Sequence, residues 1–323
     1  MKYLVTGSAG FIASRVAAKL LAEGHQVVGM DDLNDYYDVR LKEWRLSQLK
    51  SSGDFIFRNA SISDYETVSK LFKEHQFDAV FNLAARAGVR ASVEDPWVYY
   101  DTNVKGTLNL LECCKDHDVK KFILASTSSI YGATETPFKV GNVTDTPLSP
   151  YAASKKGAEA LCYSYHYLYD ISVSIPRYFT VYGPAGRPDM SYFKFMLKID
   201  RGEAIDVYGD GTQSRDFTYV DDVAEATVRC LNFSGYNVLN IGNDRPVGLM
   251  EMIKIIENLM GKEANINYMP RHPADNLITW ADLTKTQELL NWRPQVSLED
   301  GLERVINWYS ENRDWAKNIK IEK

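Results

Sequence analysis

Residues 2–13 of the 323-residue chain read Lys-Tyr-Leu-Val-Thr-Gly-Ser-Ala-Gly-Phe-Ile-Ala, and they decide the fold. The apolar run at residues 2–6 predicts a short strand, and Gly7 and Gly10 follow it where the chain must turn tightly into a helix. The first N–H groups of such a helix have no partners inside the helix, so they bind a pyrophosphate well. The stretch therefore predicts the start of a dinucleotide-binding unit, although Ala13 stands where such turns usually have a third glycine.

The first 176 residues repeat one pattern, a short β-rich apolar run followed by a segment of helical period. This repetition predicts an α/β fold, a Rossmann-like doubly wound parallel sheet with helices on both faces. The predicted strands are residues 2–6, 26–30, 55–58, 79–82, 122–125 and 173–175. We predict a dinucleotide-binding domain over residues 1–176 and a smaller mixed α/β substrate-binding region over residues 177–323.

The second region has shorter elements. Residues 215–230 predict a strand that leads into a helix with Asp221 or Asp222 as its N-cap, and residues 238–241 predict another strand. We expect the segment near residues 215–242 to return to the first sheet. Apolar residues at helical spacing also predict core-facing helices near residues 249–260 and 302–309.

The composition excludes several classes of protein. Hydrophobic residues make up 45% and charged residues 25% of the chain, as in ordinary globular proteins, and no run of about 18 apolar residues predicts a membrane helix. The four cysteines and five histidines have neither disulfide-framework nor zinc-site spacing, so we predict buried thiols and no metal. A net charge of -6 argues against nucleic acid as a partner. We expect a cytoplasmic protein without a membrane partner.

A carboxylate at the end of the second predicted strand indicates which dinucleotide is bound. Asp31 follows Gly10 by 21 residues. At this position a carboxylate accepts hydrogen bonds from the adenosine ribose hydroxyls and repels a 2′-phosphate. The sequence therefore favours NAD over NADP.

A tyrosine and a lysine lie four residues apart in the stretch Ser-Pro-Tyr-Ala-Ala-Ser-Lys, residues 149–155. On a helix, Tyr151 and Lys155 share one face, and a nearby cation lowers the pKa of a phenol from about 10 toward neutrality. Such a tyrosine can act as a base. The hydroxyl row at residues 126–129 follows a predicted strand at its carboxyl end, where open parallel sheets bind their ligands. Its side chains are therefore candidates to bind a sugar hydroxyl.

Together these motifs resemble the extended short-chain dehydrogenase/reductase superfamily over nearly the whole chain. The resemblance rests on the turn at residues 6–12, Asn-Leu-Ala-Ala-Arg-Ala-Gly at 82–88, the hydroxyl row and Tyr-Ala-Ala-Ser-Lys at 151–155. The segments at residues 31–38, 177–184 and 186–190 are most similar to the UDP-glucuronate 4-epimerase family. The family implies that a tightly bound, recycled NAD and a UDP-sugar are the ligands, and that the protein is a homodimer.

The resemblance also implies roles for particular residues. Tyr151 corresponds to the general base, Lys155 to its tuning cation and ribose contact, and Thr127 and Ser128 to catalytic hydroxyls that contact the sugar. The residues implied to bind the cofactor are Gly7, Ala9, Gly10, Phe11, Ile12, Asp31, Asn34, Ser61, Ile62, Leu83, Ala84, Ala85, Arg86, Asn103, Tyr151, Lys155 and Tyr178. The residues implied to bind the substrate are Thr127, Ser128, Ser129, Thr180, Arg187, which reads the sugar carboxylate, Arg215, which binds the diphosphate, and Asp275, near the uridine ribose.

Related activities stay open at this point. A UDP-glucose or UDP-N-acetylglucosamine 4-epimerase needs the same hydroxyls and tyrosine, and only the segment around Arg187 separates these enzymes from a UDP-glucuronate epimerase. Nucleotide-sugar 4,6-dehydratases and UDP-glucuronate decarboxylases have acids where this chain has Ser128 and Ser129, which disfavours both. A non-catalytic NAD-binding module would be expected to lack Tyr151 or Lys155.

Three departures from the family pattern affect the ligand sites. Ser61 stands where the family usually has an aspartate that contacts adenine. Ala185 replaces a common aromatic residue, and His272 stands where sugar epimerases often have a second phosphate-binding arginine. The last two bear on which sugar is bound. The apolar helices predicted near residues 98–115 and 154–169 indicate either a homodimer surface or burial under the second region.

Overall fold

The computed structural model describes residues 1–270 and 277–321, so His272 and Asp275 lie outside the described residues. The strands are β1 Lys2–Thr6, β2 Gln26–Asp31, β3 Phe55–Asn59, β4 Ala79–Asn82, β5 Lys121–Leu124, β6 Ser126–Thr127, β7 Ser172–Tyr178, β8 Thr180–Tyr182, β9 Ile205–Tyr208, β10 Ser214–Tyr219, β11 Tyr236–Ile241, β12 Pro246–Gly248 and β13 Ile266–Met269. All six strands predicted in the first region are confirmed to within three residues at each end.

The helices alternate with these strands in the first half of the chain. They are α1 Phe11–Ala22, α2 Val39–Lys50, α3 Tyr65–Glu74, α4 Ala91–Glu94, α5 Pro96–Tyr99, α6 Gly106–Asp116, α7 Pro150–Tyr169, α8 Ser191–Arg201, α9 Val220–Arg229, α10 Leu249–Met260, α11 Thr284–Leu290, α12 Leu298–Glu311 and α13 Arg313–Ala316. A π-helical segment, Tyr100–Lys105, joins α5 to α6, and 3₁₀ turns cover Ser128–Tyr131 and Cys230–Asn232. The helices predicted near residues 249–260 and 302–309 are confirmed as α10 and part of α12.

The large sheet has the order β11-β7-β5-β4-β1-β2-β3, with β6 also paired to β7. Its strand pairs are parallel. Successive side chains of β1 point to opposite faces, so Tyr3 and Val5 join one buried cluster with α1 and α9, whereas Leu4 joins another with α3, α6 and α7. The predicted doubly wound Rossmann-like fold is therefore confirmed.

Two small sheets belong to the second region. The order β12-β10-β8 forms one, and β13 pairs with β9 in the other. Of the segment near residues 215–242, β11 lies beside β7 in the large sheet and α9 packs on α1, but β10 joins the smaller sheet. A third buried cluster joins α8, α10 and α12 around this region.

The predicted cap of α9 is wrong. Tyr219 is the N-cap residue, and Asp221 and Asp222 lie in the first turn. Asp222 accepts hydrogen bonds from the N–H groups of Gln295 (2.9 Å) and Val296 (3.0 Å), residues that lie more than 70 positions away. A distant chain segment therefore binds the carboxylate in place of the helix terminus.

The four cysteines are free and buried, as predicted. Within residues 1–270 and 277–321, no helix combines the length and apolar character that crossing a membrane requires. The cytoplasmic location stays a prediction from the sequence.

Candidate active site

The candidate site lies where β1 and β4 end. The sheet order reverses here, since β2 follows β1 on one side and β4 lies on the other, and open α/β sheets bind ligands at such a point. The Thr6 hydroxyl donates to the Asn82 side chain (2.9 Å) and accepts from the Ala84 N–H (3.1 Å). A Cβ on Gly7 would lie 2.8 Å from the Ala84 Cα. The two loops are thus in direct backbone contact, and only glycine fits at position 7.

One cavity of about 770 Å³ extends from this point to the second region. Most of the residues that the sequence predicts for the cofactor line it: Gly7, Gly10, Phe11, Ile12, Asp31, Asn34, Ser61, Ile62, Leu83, Ala84, Ala85, Arg86, Tyr151, Lys155 and Tyr178. The predicted substrate residues Thr127, Ser128, Ser129, Thr180, Arg187 and Arg215 line the same cavity. Asp275 lies outside the described residues, so its predicted role stays a prediction.

Two residues predicted to contact the cofactor, Ala9 and Asn103, do not line the cavity, so their contact with it stays a prediction. Ala9 is fully buried, and its N–H donates to Asp31 (3.1 Å). Asn103 is buried too, and its side chain accepts from the Arg86 N–H (2.9 Å) and donates to the Arg86 carbonyl (3.0 Å) and the Ser154 hydroxyl (2.9 Å). Both residues position lining residues, because their own polar groups are already bonded within the protein.

Asp31 is 7% exposed and joins three parts of the chain. Its carboxylate accepts from the N–H groups of Ala9 and Leu33, and the Lys42 ammonium lies 3.7 Å from it. Burial raises the pKa of Asp31, and Lys42 opposes this effect. Sequence analysis missed Lys42, because it comes from α2 and no short motif connects it to the end of β2.

Tyr151 and Lys155 lie on the first turns of α7, which begins with Pro150 and has Ser149 as its N-cap. Burial lowers the pKa of Lys155 to about 8, although the carboxylate of Glu159 raises it. Burial raises the pKa of Tyr151, whereas the hydrogen bond with Thr127 and the charge of Arg187 lower it. The prediction of a net lowered phenol pKa is therefore wrong for the protein by itself, because desolvation outweighs the charges nearby.

A buried network fixes α7 against the hydroxyl row. Glu159 accepts from the Ser126 hydroxyl (2.6 Å) and from two nitrogens of Arg177 (2.8 and 3.0 Å). Arg177 also donates to the Tyr131 hydroxyl (3.0 Å), which donates to Asn240 (2.6 Å). Since Ser126 precedes Thr127 and Glu159 lies one turn beyond Lys155, the network holds the catalytic candidates at a fixed separation.

Arg187 is already paired within the protein. Its guanidinium makes a bidentate pair with Asp189 (2.6 and 3.1 Å) and donates to the Ala87 carbonyl (3.0 Å). It lies 5.9 Å from the centre of the Tyr36 ring, and Arg86 lies 5.6 Å from that ring. Both guanidinium groups therefore lie near the Tyr36 ring. Sequence analysis gave Tyr36 no role, since its position near them depends on the packing of distant loops.

Further polar groups line the cavity, from the second region and from the segment between β4 and α4. Arg215 donates to the carbonyls of Ser214 (2.8 Å) and Leu277 (3.1 Å). The Arg90 guanidinium lies 4.0 Å from the centre of the Tyr208 ring, and Lys194 also lines the cavity. The sequence offered no sign of Arg90 or Lys194, because neither belongs to a motif with fixed spacing. Arg90, Lys194 and Arg215 thus supply cationic side chains to the cavity wall.

Comparisons with known proteins agree with this geometry. The family model described as GDP-mannose 4,6 dehydratase matches residues 4–305. The chain belongs to this family, within the extended short-chain dehydrogenase/reductase superfamily. It is 53% identical to UDP-glucuronate 4-epimerase of Thermodesulfobacterium geofontis over 320 residues, which cover 99% of both chains.

Two solved structures of superfamily members are also similar. One is a UDP-glucuronic acid 4-epimerase from Bacillus cereus in complex with UDP-glucuronic acid and NAD, with a TM-score of 0.92, 38% identity and coverage of 97% of this chain and 100% of that one. The other is a UDP-glucose 4-epimerase from Thermotoga maritima with UDP-glucose, with a TM-score of 0.89, 33% identity and the same coverage. Similarity thus extends to acidic-sugar and neutral-sugar epimerases.

Proposed function

We propose that the protein is an NAD-dependent 4-epimerase that interconverts UDP-glucuronate and UDP-galacturonate. The observation that carries the proposal is one cavity that holds Tyr151, Lys155 and Thr127 together with Arg187 and begins at the dinucleotide turn. The similarity to UDP-glucuronate 4-epimerases along almost the whole chain supports it.

Tyr151 acts as the base in this reaction. It takes the proton of the sugar 4-hydroxyl and returns it after the 4-keto sugar has turned over. NAD held at the dinucleotide turn around Gly7 and Gly10 would supply reversible hydride transfer at C4, with no net oxidation of the sugar. Thr127 holds the phenol through a hydrogen bond, and Lys155 supplies a positive charge one turn away at pH values below about 8.

Arg187 and the hydroxyl row bind the sugar acid. A guanidinium forms two parallel hydrogen bonds with a carboxylate, which fixes its orientation as well as its position. Orientation matters because the 4-keto uronate is a β-keto acid, which loses carbon dioxide when its C5–C6 bond is free to align with the ketone. Ser128, Ser129 and Thr180 add hydroxyls to the site, and Arg215 binds the diphosphate.

The dinucleotide turn fits NAD. Gly7 has a φ of +69° and a Cβ there would collide with the backbone of Ala84, so Gly7→Ala is expected to abolish retention of NAD through the purification. The measurement is NAD released per chain after denaturation. Gly24→Ala is the matched control, since Gly24 has a φ of +81° with open space around its would-be Cβ. Full NAD content in Gly7→Ala, or equal loss in both variants, would contradict the assignment.

A neutral-sugar 4-epimerase is the second candidate. The observation that favours it is the pair between Arg187 and Asp189, which occupies the guanidinium that the acidic sugar needs. A dehydratase or decarboxylase has less support, because Ser128 and Ser129 offer hydroxyls where those enzymes use a carboxylic acid.

The experiment that tests the proposal uses purified protein without added cofactor. UDP-glucuronate is incubated with it, and UDP-galacturonate and UDP-pentoses are separated by chromatography, with UDP-glucose and UDP-N-acetylglucosamine run in parallel. We expect UDP-galacturonate as the main product. Turnover of the neutral sugars alone would replace the first candidate by the second, and UDP-pentose as the main product would indicate a decarboxylase.

We also infer a homodimer through the outer faces of α5, α6 and α7. Large apolar side chains on these helices and the joining π-helical segment are exposed: Trp97, Tyr100, Leu108, Tyr163, Tyr167, Leu168 and Tyr169. Trp97 is 82% and Tyr167 78% exposed. Large exposed apolar side chains on neighbouring helices are characteristic of subunit interfaces, and twofold symmetry would bury both copies at once.

The double variant Trp97→Asp, Tyr167→Asp is expected to be a monomer at micromolar concentration, because it places charge in the interface at both positions. The mass is measured by light scattering during size-exclusion chromatography. Val143→Asp is the control, since Val143 is 71% exposed but lies outside these helices. A wild-type monomer, or a double variant that remains dimeric, would overturn the inference.

A further inference from the structure

Arg45, on α2, is a buried cation that the proposed chemistry leaves unused. It is 3% exposed. Within residues 1–270 and 277–321 its charge has no carboxylate partner; its polar contacts are three main-chain carbonyls and one phenol. The rings of Phe11 and Tyr37 lie 5.9 and 5.5 Å away. Burying a guanidinium without a carboxylate partner costs folding free energy. The contacts of Arg45 therefore indicate a specific structural role.

The contacts join the two halves of the candidate site. One nitrogen donates to the Ala9 carbonyl in the dinucleotide turn (2.9 Å). The other two donate to Ala185 (2.9 and 2.6 Å) and Gly186 (3.0 Å), the two residues that precede Arg187. Ala185 has a φ of +51°, a left-handed conformation that a residue with a side chain rarely adopts. Arg45 binds the carbonyl of that residue twice.

We propose that Arg45 is a positioning residue that fixes the loop of Arg187 to the dinucleotide turn, and so determines whether the oxidised sugar acid is reduced again or loses carbon dioxide. The inference rests on the proposed UDP-glucuronate chemistry. Arg45 itself does not contact the substrate in this proposal. Its effect passes through the backbone of residues 185–187 to the guanidinium that binds the carboxylate.

The competing reaction balances without another reactant. Oxidation at C4 makes the C6 carboxylate β to a ketone. When the C5–C6 bond breaks, carbon dioxide leaves, and the electron pair remains at C5 as the enolate of the C4 ketone. C5 then takes a proton, which balances the one that Tyr151 removed from the 4-hydroxyl, and a UDP-4-keto-pentose results; the two electrons removed from C4 stay with the bound cofactor. A carboxylate held in one orientation keeps the C5–C6 bond from aligning with the π orbitals of the C4 ketone. If the loop of Arg187 moves, the carboxylate is no longer held and the bond can align.

The test is the product distribution of Arg45→Met and Arg45→Lys, purified with their bound NAD. We expect the decarboxylated fraction of the product to rise about tenfold in both, since the loss of one charge-assisted contact is worth about a factor of ten. Arg45→Lys keeps a positive charge near the dinucleotide turn, but an ammonium cannot bind Ala9 and Ala185 with the planar fork of a guanidinium. This variant can be tested even if Arg45→Met folds poorly. An unchanged product ratio in a folded, NAD-loaded Arg45→Lys would overturn the proposal.

Arg201→Met is the matched control. Arg201 also donates three hydrogen bonds to backbone carbonyls, those of Lys317 (3.1 and 2.8 Å) and Ile319 (2.7 Å), but it lies away from the cavity. Its product ratio is expected to equal that of the wild type. An equal rise in Arg201→Met would mean that general loosening, and not the link through Arg45, changes the ratio, which would also overturn the proposal.

A second measurement separates this inference from the proposed function. Hydrogen exchange of the segment at residues 183–190, measured without substrate, is expected to be faster in both Arg45 variants than in the wild type and Arg201→Met. If the wild type does not convert UDP-glucuronate but this exchange difference is seen, the proposed function fails and the positioning role of Arg45 stands. If the wild type epimerises and the exchange is the same in all variants, the positioning role fails alone.

Discussion

Tyr151→Phe is expected to lower kcat for UDP-glucuronate epimerisation by about 10²- to 10⁴-fold, the range by which positioned acid and base groups accelerate proton transfer. The variant keeps the ring that fills the wall of the cavity and loses only the hydroxyl. Thr127 then has no phenol to bind. Among the described residues that line the cavity, no other tyrosine lies on α7 one turn before a lysine. The measurement is initial rate with saturating UDP-glucuronate.

The control for this prediction is Tyr163→Phe. Tyr163 lies on the same helix, but its side chain faces outward and is 54% exposed. We expect it to have wild-type activity. Bound NAD per chain is expected to be unchanged in Tyr151→Phe, which separates lost chemistry from lost cofactor. A Tyr151→Phe enzyme within tenfold of the wild-type rate would exclude Tyr151 as the base.

Arg187→Met is expected to lower kcat/KM for UDP-glucuronate by about 10- to 100-fold more than for UDP-glucose, because a hydrogen bond to a charged group contributes about 1.5–3 kcal/mol. Only the acidic sugar loses the contact with the guanidinium. Both sugars are affected by a second change, since the charge of Arg187 also lowers the pKa of Tyr151. Its removal raises that pKa, so less of the phenol is ionised at a given pH. The value of kcat/KM is therefore measured for both sugars at several pH values. The change in the pKa of Tyr151 affects both sugars equally, so it cancels in the ratio of their kcat/KM values.

Asp189→Asn is the companion to that experiment. The Asp189 carboxylate pairs with the Arg187 guanidinium, so in the proposed site it would compete with the carboxylate of the sugar. Its removal is expected to lower KM for UDP-glucuronate by a few fold at most, since Asp189 is partly exposed and exposed pairs are weak. Equal losses on both sugars in Arg187→Met, together with an unchanged KM in Asp189→Asn, would remove Arg187 from carboxylate recognition.

Local patterns in the sequence predicted much of the fold and the site. The six strands, the doubly wound sheet and the helix with Tyr151 and Lys155 follow from hydrophobic period, turn glycines and four-residue spacing, each of which depends on near neighbours along the chain. The glycine turn at residues 7–10 and the hydroxyls at residues 126–129 also lie at the carboxyl ends of the strands, as expected from the direction of a parallel sheet.

The predictions that failed depend on packing. The net direction of the Tyr151 pKa shift depends on how completely the protein encloses the phenol, and spacing along a helix carries no information on burial. The N-cap of α9 was predicted from nearby aspartates, but Asp222 has partners from a segment 73 and 74 residues further along. Packing also buries Ala9 and Asn103, which do not line the cavity, and their predicted contact with the cofactor stays a prediction.

By itself, the sequence determined the α/β fold, the site at the carboxyl edge of the sheet and the residue types that meet there. These follow from interactions between residues close in the chain, whose geometry is nearly the same wherever they occur. Only the tertiary structure decided that Lys42 faces Asp31, that Asp189 holds Arg187 and that Arg45 joins Ala9 to Ala185, a residue 140 positions further along than Arg45. Contacts at that separation form when distant elements pack together, so they follow from the whole fold and from no single motif.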